Sequence, residues 1–272
     1  MKMRRLCVCV ALCLGLLFGN GAMAAAGPLV VNGKSLPAGS EARVYGNTTY
    51  VSLRAVAEAL EPAAAVAWAG DRATVRAYGV TLEAIPGRTY IEANGRALPV
   101  PGGVRLEHGR TLVPVRVLGK ALGADVDWDA RTGTVTVTSG GAPLASGDAF
   151  YDGDALYWLS RIISAESQGE PLSGKIAVGN VILNRAADRE FPDTIYGVIF
   201  DDRWGGQFEP VRNGTVYAAP TGESVLAAKL VLEGAEVAGD SLYFLAPALT
   251  SNHWIMENRS FRMIIGSHWF YR

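Results

Sequence analysis

The sequence predicts an α+β protein of two parts, and three observations support this prediction. A unit with strand and helix patterns occurs twice between residues 31 and 137. Residues 152–272 carry apolar side chains at helical spacing, and strand-like runs appear only near their end. Residues 140–151 lack periodicity and are rich in glycine, proline and serine. We therefore expect a β-rich α+β repeat domain at residues 27–139, a linker at 140–151, and a mainly helical domain with a small terminal β-sheet at 152–272.

The first 24 residues have the pattern of an export signal peptide. Lys2, Arg4 and Arg5 form a basic segment, which an apolar run at residues 6–18 follows. Ala22-Met23-Ala24 matches the small-x-small cleavage pattern. The apolar run is short for a membrane-spanning helix. We expect a secreted protein with no stable membrane span after cleavage, and an uncleaved membrane anchor is the alternative.

Cysteine usage and charge exclude several classes of function. Cys7, Cys9 and Cys13 all lie in the predicted signal, so the mature chain would have no disulfide and no thiol nucleophile. Three of the 25 basic residues also lie there, which leaves 22 basic against 26 acidic residues and a net charge near −4. This balance argues against a nucleic-acid partner.

The repeated unit is predicted to form strand, turn, strand, helix and strand in that order. Residues 31–37 recur at 93–99, and residues 49–54 recur at 111–116, both 62 positions later. Each copy contains an Asn-Gly dipeptide, which is typical of a β-hairpin turn. Residues 53–60 have helical apolar spacing, and residues 134–138 alternate as a half-buried strand does.

Residues 29–139 resemble the copper amine oxidase N-terminal domain family, a stalk-like domain. The resemblance depends on Val31-Asn32-Gly33 at the start and on the two strand cores that end in Arg54 and Arg116. It also depends on Ala121-Leu122-Gly123-Ala124 and on Trp128-Asp129. It implies a wall-targeting module or a spacer without a ligand. His108 is the region's only histidine, and one histidine does not make a copper site.

The second part begins with two predicted helices. Asp152 or Asp154 caps the first, which runs to about Gln168, and Gly169 is expected to end it in a left-handed conformation. Pro171 suits the start of the second helix. Two further helices are predicted after Asp193 or Thr194 and from Thr221 to about Glu233. Three strands are predicted near the end, at residues 242–245, 261–265 and 268–271.

Glu166, near the end of the first of these helices, is the best catalytic candidate. The mature chain offers no cysteine, no metal-ligand spacing and no Ser-x-x-Lys, so no metal ion and no cofactor is expected. A carboxylic acid against apolar groups has a raised pKa and can act as a proton donor.

Residues 156–272 resemble the bacterial cell-wall hydrolase family that includes the spore cortex-lytic enzymes. The motifs that carry the resemblance are Ala165-Glu166-x-x-Gly169-Glu170-Pro171, Gly174-x-x-Ala177-Val178, Val181-Ile182-Leu183-Asn184-Arg185, Phe191-Pro192-x-Thr194-Ile195, Val198-Ile199, Gln207-Phe208, Tyr243-Phe244 and Gly266-x-His268-x-Phe270. It implies a lysozyme-like fold, cleavage of peptidoglycan glycan strands, and Glu166 as the catalytic glutamate. Cortex-lytic members are lytic transglycosylases that form 1,6-anhydro-muramic acid ends. The family often has Tyr-x-Asn-Pro where this chain has Phe244-Leu245-Ala246-Pro247.

A second carboxylate would decide between hydrolysis and transglycosylation. Retaining hydrolases need one about 5–5.5 Å from the acid and inverting hydrolases one about 6.5–9.5 Å away. Glu170 is four residues from Glu166, but Pro171 disfavours helical geometry at that position. We expect Glu170 to order the junction, with substrate binding and a nucleophile role as alternatives. Glu209 is a weaker candidate.

Several other residues are candidates for contact with substrate. Gln207 and Phe208 form a motif in which Gln207 could bind the glycan or orient Glu166. Tyr243, Trp254 and Trp204 could stack on sugar rings or belong to the core. Asn184 and Arg185 are expected to form a structural hydrogen-bonding pair. His268 is expected to be packed near the floor of the site.

Three functions compete at this point. The leading prediction is an exported peptidoglycan lytic enzyme, either a lytic transglycosylase or a hydrolytic muramidase or glucosaminidase. The second is a wall-binding module without turnover, and the third and most distant is a peptide-cleaving wall enzyme. Peptidoglycan glycan strands are the expected partner, and wall or spore-coat proteins are further candidates.

Overall fold

The computed structural model describes residues 27–37, 40, 42–203, 206–250 and 253–272. The predicted signal peptide at residues 1–24 and the candidate Trp204 lie outside the described residues. Within the described ranges, no helix has both the length and the apolar character needed to cross a membrane.

The first part of the chain is β-rich and contains two helices. Its helices are α1 (Leu53–Leu60) and α2 (Val115–Leu122). Its strands are β1 (Leu29–Val31), β2 (Lys34–Ser35), β3 (Arg43–Tyr45), β4 (Thr48–Ser52), β5 (Ala65–Ala69), β6 (Arg72–Ala77), β7 (Val80–Ala84), β8 (Tyr90–Ala93), β9 (Arg96–Pro99), β10 (Arg105–Glu107), β11 (Arg110–Pro114), β12 (Ala124–Asp129) and β13 (Thr134–Ser139). They form three sheets, in the orders β12-β13-β1-β2, β10-β11-β4-β3 and β5-β6-β7-β8-β9.

The internal repeat appears as a two-fold arrangement of the strands. Strands β4 and β11 occupy equivalent positions in the two copies and pair with each other in antiparallel fashion. Val51 lies opposite Val113 in this pair, and the two residues are also equivalent in the repeat. The predicted Asn-Gly turns are confirmed, because Asn32, Gly33, Asn94 and Gly95 all have the positive φ that a type I′ hairpin turn requires.

The second part is mainly helical and ends in a small sheet, as predicted. Its helices are α3 (Gly147–Phe150), α4 (Gly153–Ser167), α5 (Leu172–Ala187), α6 (Ile195–Ile199), α7 (Glu209–Asn213), α8 (Gly222–Leu232) and α9 (Trp254–Asn258). A 3₁₀ turn covers Thr215–Tyr217. Strands β14 (Tyr243–Leu245), β15 (Phe261–Ile265) and β16 (His268–Tyr271) form an antiparallel sheet in the order β14-β16-β15. The α+β class is therefore confirmed for both parts.

The predicted helix caps are mostly confirmed. The side chain of Asp152 accepts a hydrogen bond from Ala155 N at 2.8 Å at the start of α4. Thr194 and Thr221 cap α6 and α8 in the same way. The short helices α7 and α9 have only five residues each, and no apolar periodicity predicted them.

The prediction of a left-handed end at Gly169 is wrong. Gly169 has no positive φ, and the chain leaves α4 through Gln168 in a right-handed conformation. The Nζ atom of the buried Lys175 donates to the carbonyl oxygen of Gln168 at 3.0 Å and to that of Glu170. These bonds satisfy carbonyl groups at the junction between α4 and α5, so the Lys175 side chain holds this turn without a left-handed glycine.

The predicted linker at residues 140–151 is an ordered segment. Leu144 packs in the core of the first part, and Ser146 caps α3 by accepting a hydrogen bond from Ala149 N. The Tyr151 hydroxyl accepts a hydrogen bond from Ala97 N at 3.2 Å. The segment therefore packs along the repeat domain and leads directly into α4.

A buried carboxylate joins the two parts. The side chain of Glu233, at the end of α8, has no solvent exposure. It accepts hydrogen bonds from Arg96 Nε at 2.5 Å, from Arg96 Nη2 at 2.9 Å and from Lys120 Nζ at 2.8 Å. Tyr90 and Ala97 of the repeat domain also pack in the core of the helical part. The two parts thus share a polar contact and an apolar contact.

Candidate active site

A cleft of about 1580 Å³ lies in the helical part. The end of α4 and the end of α5 contribute to one side, and residues 206–219 and β14 contribute to the others. Glu166 lies on the last turn of α4 and lines this cleft. The cleft therefore places the sequence's main catalytic candidate in a space that can hold an extended ligand.

The carboxyl group of Glu166 is half-buried and has a raised pKa. Burial raises the pKa of Glu166 to about 7, the positive charge of Arg185 opposes the shift, and the negative charge of Glu209 adds to it. A carboxylic acid with this pKa is protonated in a large fraction of molecules near neutral pH. Glu166 can therefore donate a proton there, and afterwards accept one.

Arg185 is a buried cation that also lines the cleft. It is only 4% exposed, and its Nε donates to Leu242 O at 2.6 Å. The rings of Phe191, Phe208 and Tyr243 lie around its guanidinium carbon at 5.0, 5.3 and 5.4 Å. Burial lowers the pKa of Arg185 to about 10, so it remains charged at neutral pH.

The Nη1 atom of Arg185 is buried and has no hydrogen-bond partner among the described residues. A buried donor without a partner costs free energy, and such groups in a cleft are suited to an incoming acceptor. In the free protein, the guanidinium supplies a positive charge that favours the ionised form of Glu166.

Of the three further acidic residues that the structure describes in the cleft lining, Glu190, Asp201 and Glu209, the last two are engaged in ion pairs. Asp201 accepts hydrogen bonds from Arg203 N at 3.1 Å, from Arg203 Nε at 2.8 Å and from Arg203 Nη2 at 2.8 Å. These bonds hold the pKa of Asp201 below its ordinary value despite its burial. Glu209 accepts a hydrogen bond from Arg212 Nε at 3.0 Å on the exposed face of α7. Glu166 has no such ion pair with a described residue.

Glu170, a sequence candidate for substrate binding, is not among the residues that line the cleft. Its carboxylate accepts hydrogen bonds from Ser267 N at 3.0 Å and from Ser267 Oγ. Burial opposes these bonds, but they hold the pKa of Glu170 below its ordinary value. A Cβ atom at Gly266 would overlap this carboxylate, so the glycine in the β15–β16 turn leaves room for it. Glu170 thus orders the junction, as the sequence favoured.

His268 lies next to this junction and lines the cleft. Its ring packs edge-on against Phe244 with the ring centres 5.3 Å apart. Burial lowers the pKa of His268, which favours the neutral imidazole. This placement matches the expected position near the floor of the site.

The other candidates for substrate contact that the structure describes line the cleft. They are Gln207, Phe208, Tyr243 and Trp254. Phe208 is only 3% exposed and belongs to the apolar core, whereas Trp254 is 49% exposed. The guanidinium carbon of Arg259 lies 4.6 Å from the ring centre of Tyr243 and 4.9 Å from that of Trp254. Arg259 therefore holds two aromatic rings at the edge of the cleft.

Position 246 also lies in the cleft lining. The asparagine often found in the resembling family would therefore face the cleft, and Ala246 supplies no polar group there. A substrate contact made by that amide would be missing in this chain.

Sequence reasoning assigned Arg185 to a structural pair and overlooked Asp201. The structural prediction is confirmed for Asn184, whose Nδ2 donates to Gly239 O at 2.7 Å and to Ser241 O at 3.0 Å. Arg185 continues the buried stripe of α5 that contains Val178, Val181 and Ile182. The charge of Arg185 in an apolar stripe was the signal that could have indicated its place in the site. A buried cation is stable only where other groups compensate for the loss of water around it.

No group of three or more potential metal ligands was found among the described residues. The groups that line the cleft include carboxyl, guanidinium, amide and aromatic side chains.

Two family models match separate segments of the chain. Residues 169–271 match the model described as Cell Wall Hydrolase, and residues 30–141 match the Copper amine oxidase N-terminal domain. Glu166 lies three residues before the first matched segment, on the helix that leads into it.

Curated relatives include spore cortex-lytic enzymes. The enzyme of Oceanobacillus iheyensis is 31% identical over 132 residues, which are 48% of this chain and 46% of the relative. That of Bacillus cereus is 32% identical over 120 residues, which are 44% of this chain and 45% of the relative. The chain thus spans less than half the length of these relatives.

A solved structure described as the catalytic domain of the germination-specific lytic transglycosylase SleB from Bacillus anthracis is also similar. It is 33% identical, covers 45% of this chain and 97% of that domain, and gives a TM-score of 0.41.

Proposed function

We propose that this chain is an exported peptidoglycan-degrading enzyme. It has a cell wall hydrolase domain in its C-terminal part and is homologous to spore cortex-lytic enzymes. Its proposed reaction is lytic transglycosylation of the glycan strand. The observation that carries the proposal is the half-buried Glu166 carboxyl in the large cleft, with its pKa raised to about 7.

Glu166 serves first as the acid in the proposed mechanism. Its carboxyl proton passes to the glycosidic oxygen as the bond between that oxygen and the anomeric carbon breaks. The carboxylate that remains is stabilised by the charge of Arg185. Positive charge develops on the sugar ring as the bond breaks, and the negative charge of the new Glu166 carboxylate stabilises that positive charge.

Glu166 then serves as the base. It removes the proton from the 6-hydroxyl of the same muramoyl residue, and that oxygen attacks the anomeric carbon. The product is a 1,6-anhydro ring, and the proton returns Glu166 to its starting state. This reaction needs no water and no second carboxylate, which agrees with the engagement of Asp201 and Glu209 in ion pairs.

A hydrolytic muramidase or glucosaminidase is the alternative, and Asp201 is the observation that favours it. Asp201 is ionised and lines the same cleft as the protonated Glu166, and such a pair of unequal carboxyl groups is typical of hydrolases. Its two oxygen atoms already accept hydrogen bonds from Arg203, which weakens the case for a nucleophile. We therefore favour the intramolecular reaction.

Peptidoglycan glycan strands are the proposed partner, at the cell wall or the spore cortex. The predicted export signal supports a location outside the membrane. Wall or spore-coat proteins are additional proposed partners. The repeat domain is proposed to be a wall-targeting or spacer module.

Product analysis tests the proposed reaction. Purified peptidoglycan is digested with the mature chain, and the soluble muropeptides are identified by mass spectrometry. We expect 1,6-anhydro-muramic acid ends as the main products. Reducing ends without anhydro products would support the hydrolytic alternative, and binding without any soluble product would support a wall-binding module.

The charge of Arg185 predicts a shift in the pH dependence of the reaction. Activity falls as pH rises through the pKa of Glu166, because the acid must carry a proton. Arg185 lowers that pKa, so the neutral variant Arg185→Met raises it and moves the alkaline limb of kcat/KM to higher pH. Arg185→Lys keeps the charge and is expected to leave the limb near its original position. If the alkaline limb of the kcat/KM profile of Arg185→Met stays in place or moves to lower pH, Arg185 does not lower the pKa of Glu166 as proposed.

A further inference from the structure

Five aromatic rings form a surface at one side of the helical part. We call Tyr157, Trp158, Tyr196, Phe200 and Tyr217 the aromatic surface. The ring of Trp158 lies at its centre. The distances from its ring centre to those of Tyr157, Tyr196, Phe200 and Tyr217 are 4.9, 5.4, 5.0 and 6.1 Å. The rings of Tyr196 and Phe200 stack at 4.5 Å.

The three tyrosines of this surface are open to solvent. Their exposed fractions are 45% for Tyr157, 53% for Tyr196 and 58% for Tyr217. Contiguous exposed apolar area is uncommon on soluble proteins and usually marks a binding surface. The contacts among the rings hold them in place, so a ligand would immobilise few additional side chains on binding.

The aromatic surface is continuous with the cleft along α4. Tyr157, Arg161, Ser164 and Gln168 follow one another at spacings of four, three and four residues, so they lie on one face of the helix. The last three of these line the cleft. The guanidinium carbon of Arg161 lies 3.5 Å from the ring centre of Tyr157, which joins the two regions directly.

A second connection runs through the 3₁₀ turn. Thr215, Ala218 and Ala219 line the cleft, and Tyr217 lies among them in the chain. Tyr157 lies nine positions before Glu166, which is about 13.5 Å along the helix axis and on the opposite side of the helix. The aromatic surface therefore begins well beyond the sugars that flank the reacting bond.

We propose that the aromatic surface binds the glycan strand where it continues beyond the cleft. Sugar rings present C–H faces that pack on aromatic rings, and their hydroxyl groups can exchange hydrogen bonds with tyrosine hydroxyl groups. A polymeric ligand that leaves the cleft along α4 would meet these rings next. The proposal rests on the proposed function, because it takes the same glycan strand as the ligand.

Binding to strands of defined length tests this surface separately from turnover. The full mature chain carries Glu166→Gln, and its affinity is measured for a peptide-free tetrasaccharide and for long peptide-free glycan strands. We expect the long strands to bind more tightly. Adding Tyr157→Ser and Tyr217→Ser should weaken binding of long strands by about tenfold and leave tetrasaccharide binding unchanged.

Two control variants make the result specific. Phe261→Ser removes a ring of similar exposure, 51%, which also packs edge-on against two aromatic rings but does not line the cleft. It should not change either affinity. Tyr157→Phe with Tyr217→Phe keeps the rings and should keep most of the preference for long strands.

Two results would overturn the proposal. Unchanged long-strand affinity in the double serine variant would assign the aromatic surface to another ligand, such as a protein. An equal loss for both ligands would show that the substitutions act on the cleft itself. A failure of the proposed function would appear differently, because the chain with its native Glu166 would then not shorten the long strands.

Discussion

Glu166→Gln is expected to lower kcat for glycan cleavage by about 100- to 10,000-fold, the range typical of a lost general acid–base group. Glutamine keeps the size and hydrogen-bonding shape of the side chain, but it carries no transferable proton. The measurement is the rate of release of anhydro-muramic ends from purified peptidoglycan at pH near 7. The mechanism requires Glu166 in both steps, so no second group should restore the rate.

The same substitution should make the folded chain more stable at neutral and alkaline pH. The pKa of Glu166 is about 7 in the folded protein and 4.5 in a model carboxyl group. The stabilisation from this difference is fully present below pH 4.5 and is lost as pH rises through 7. Glutamine does not titrate, so its stability advantage over the native chain should increase over that interval, to at most about 3 kcal/mol.

Glu209→Gln is the matched control for both effects. Glu209 lines the same cleft, but it is exposed and forms an ion pair with Arg212. It should keep most of the activity, and its free energy of unfolding should change less than that of Glu166→Gln because the Glu209 side chain is exposed. If Glu166→Gln retains more than about a tenth of the native kcat, the assignment of Glu166 as the acid fails.

Periodicity and turn chemistry were sufficient to predict most of the elements. Residues 53–60 are a helix in the structure, as their apolar spacing predicted, and residues 261–265 and 268–271 are the predicted strands. These features are local, because the spacing of apolar residues and the φ angles of glycine and asparagine act over a few positions. The short helices α7 and α9 depend on tertiary contacts and left no such pattern.

The groups around the cleft were harder to predict because they meet through the fold. The motif order indicated Glu166, Gln207 and Tyr243. It could not show that three aromatic rings surround Arg185 or that Arg259 lies against two rings. The end of α4 is a similar case. The Lys175 side chain, on α5, donates to the carbonyl oxygen atoms of Gln168 and Glu170 at this junction, a contact that no local pattern in the sequence predicts.

Glu233→Ala is expected to destabilise the chain by about 3–5 kcal/mol, because it leaves the buried guanidinium of Arg96 without its partner. Burial alone would raise the pKa of Glu233, but hydrogen bonds from Arg96 and Lys120 outweigh it and hold that pKa below its ordinary value. The stabilisation is therefore present above the ordinary glutamate pKa and is lost as pH falls through the lowered one. Thermal unfolding at neutral and acidic pH measures both effects.

Glu236→Ala is the control, since this glutamate lies three residues further on and is exposed. Replacing Arg96 and Glu233 together with leucine should recover much of the lost stability, because both buried charges are removed, and the remaining Lys120 is 48% exposed and can be solvated. Equal melting temperatures for Glu233→Ala and Glu236→Ala would contradict the role of the ion pair. Lys34, the repeat equivalent of Arg96, is exposed. The two copies therefore differ at the position where the second one forms an ion pair with the helical part.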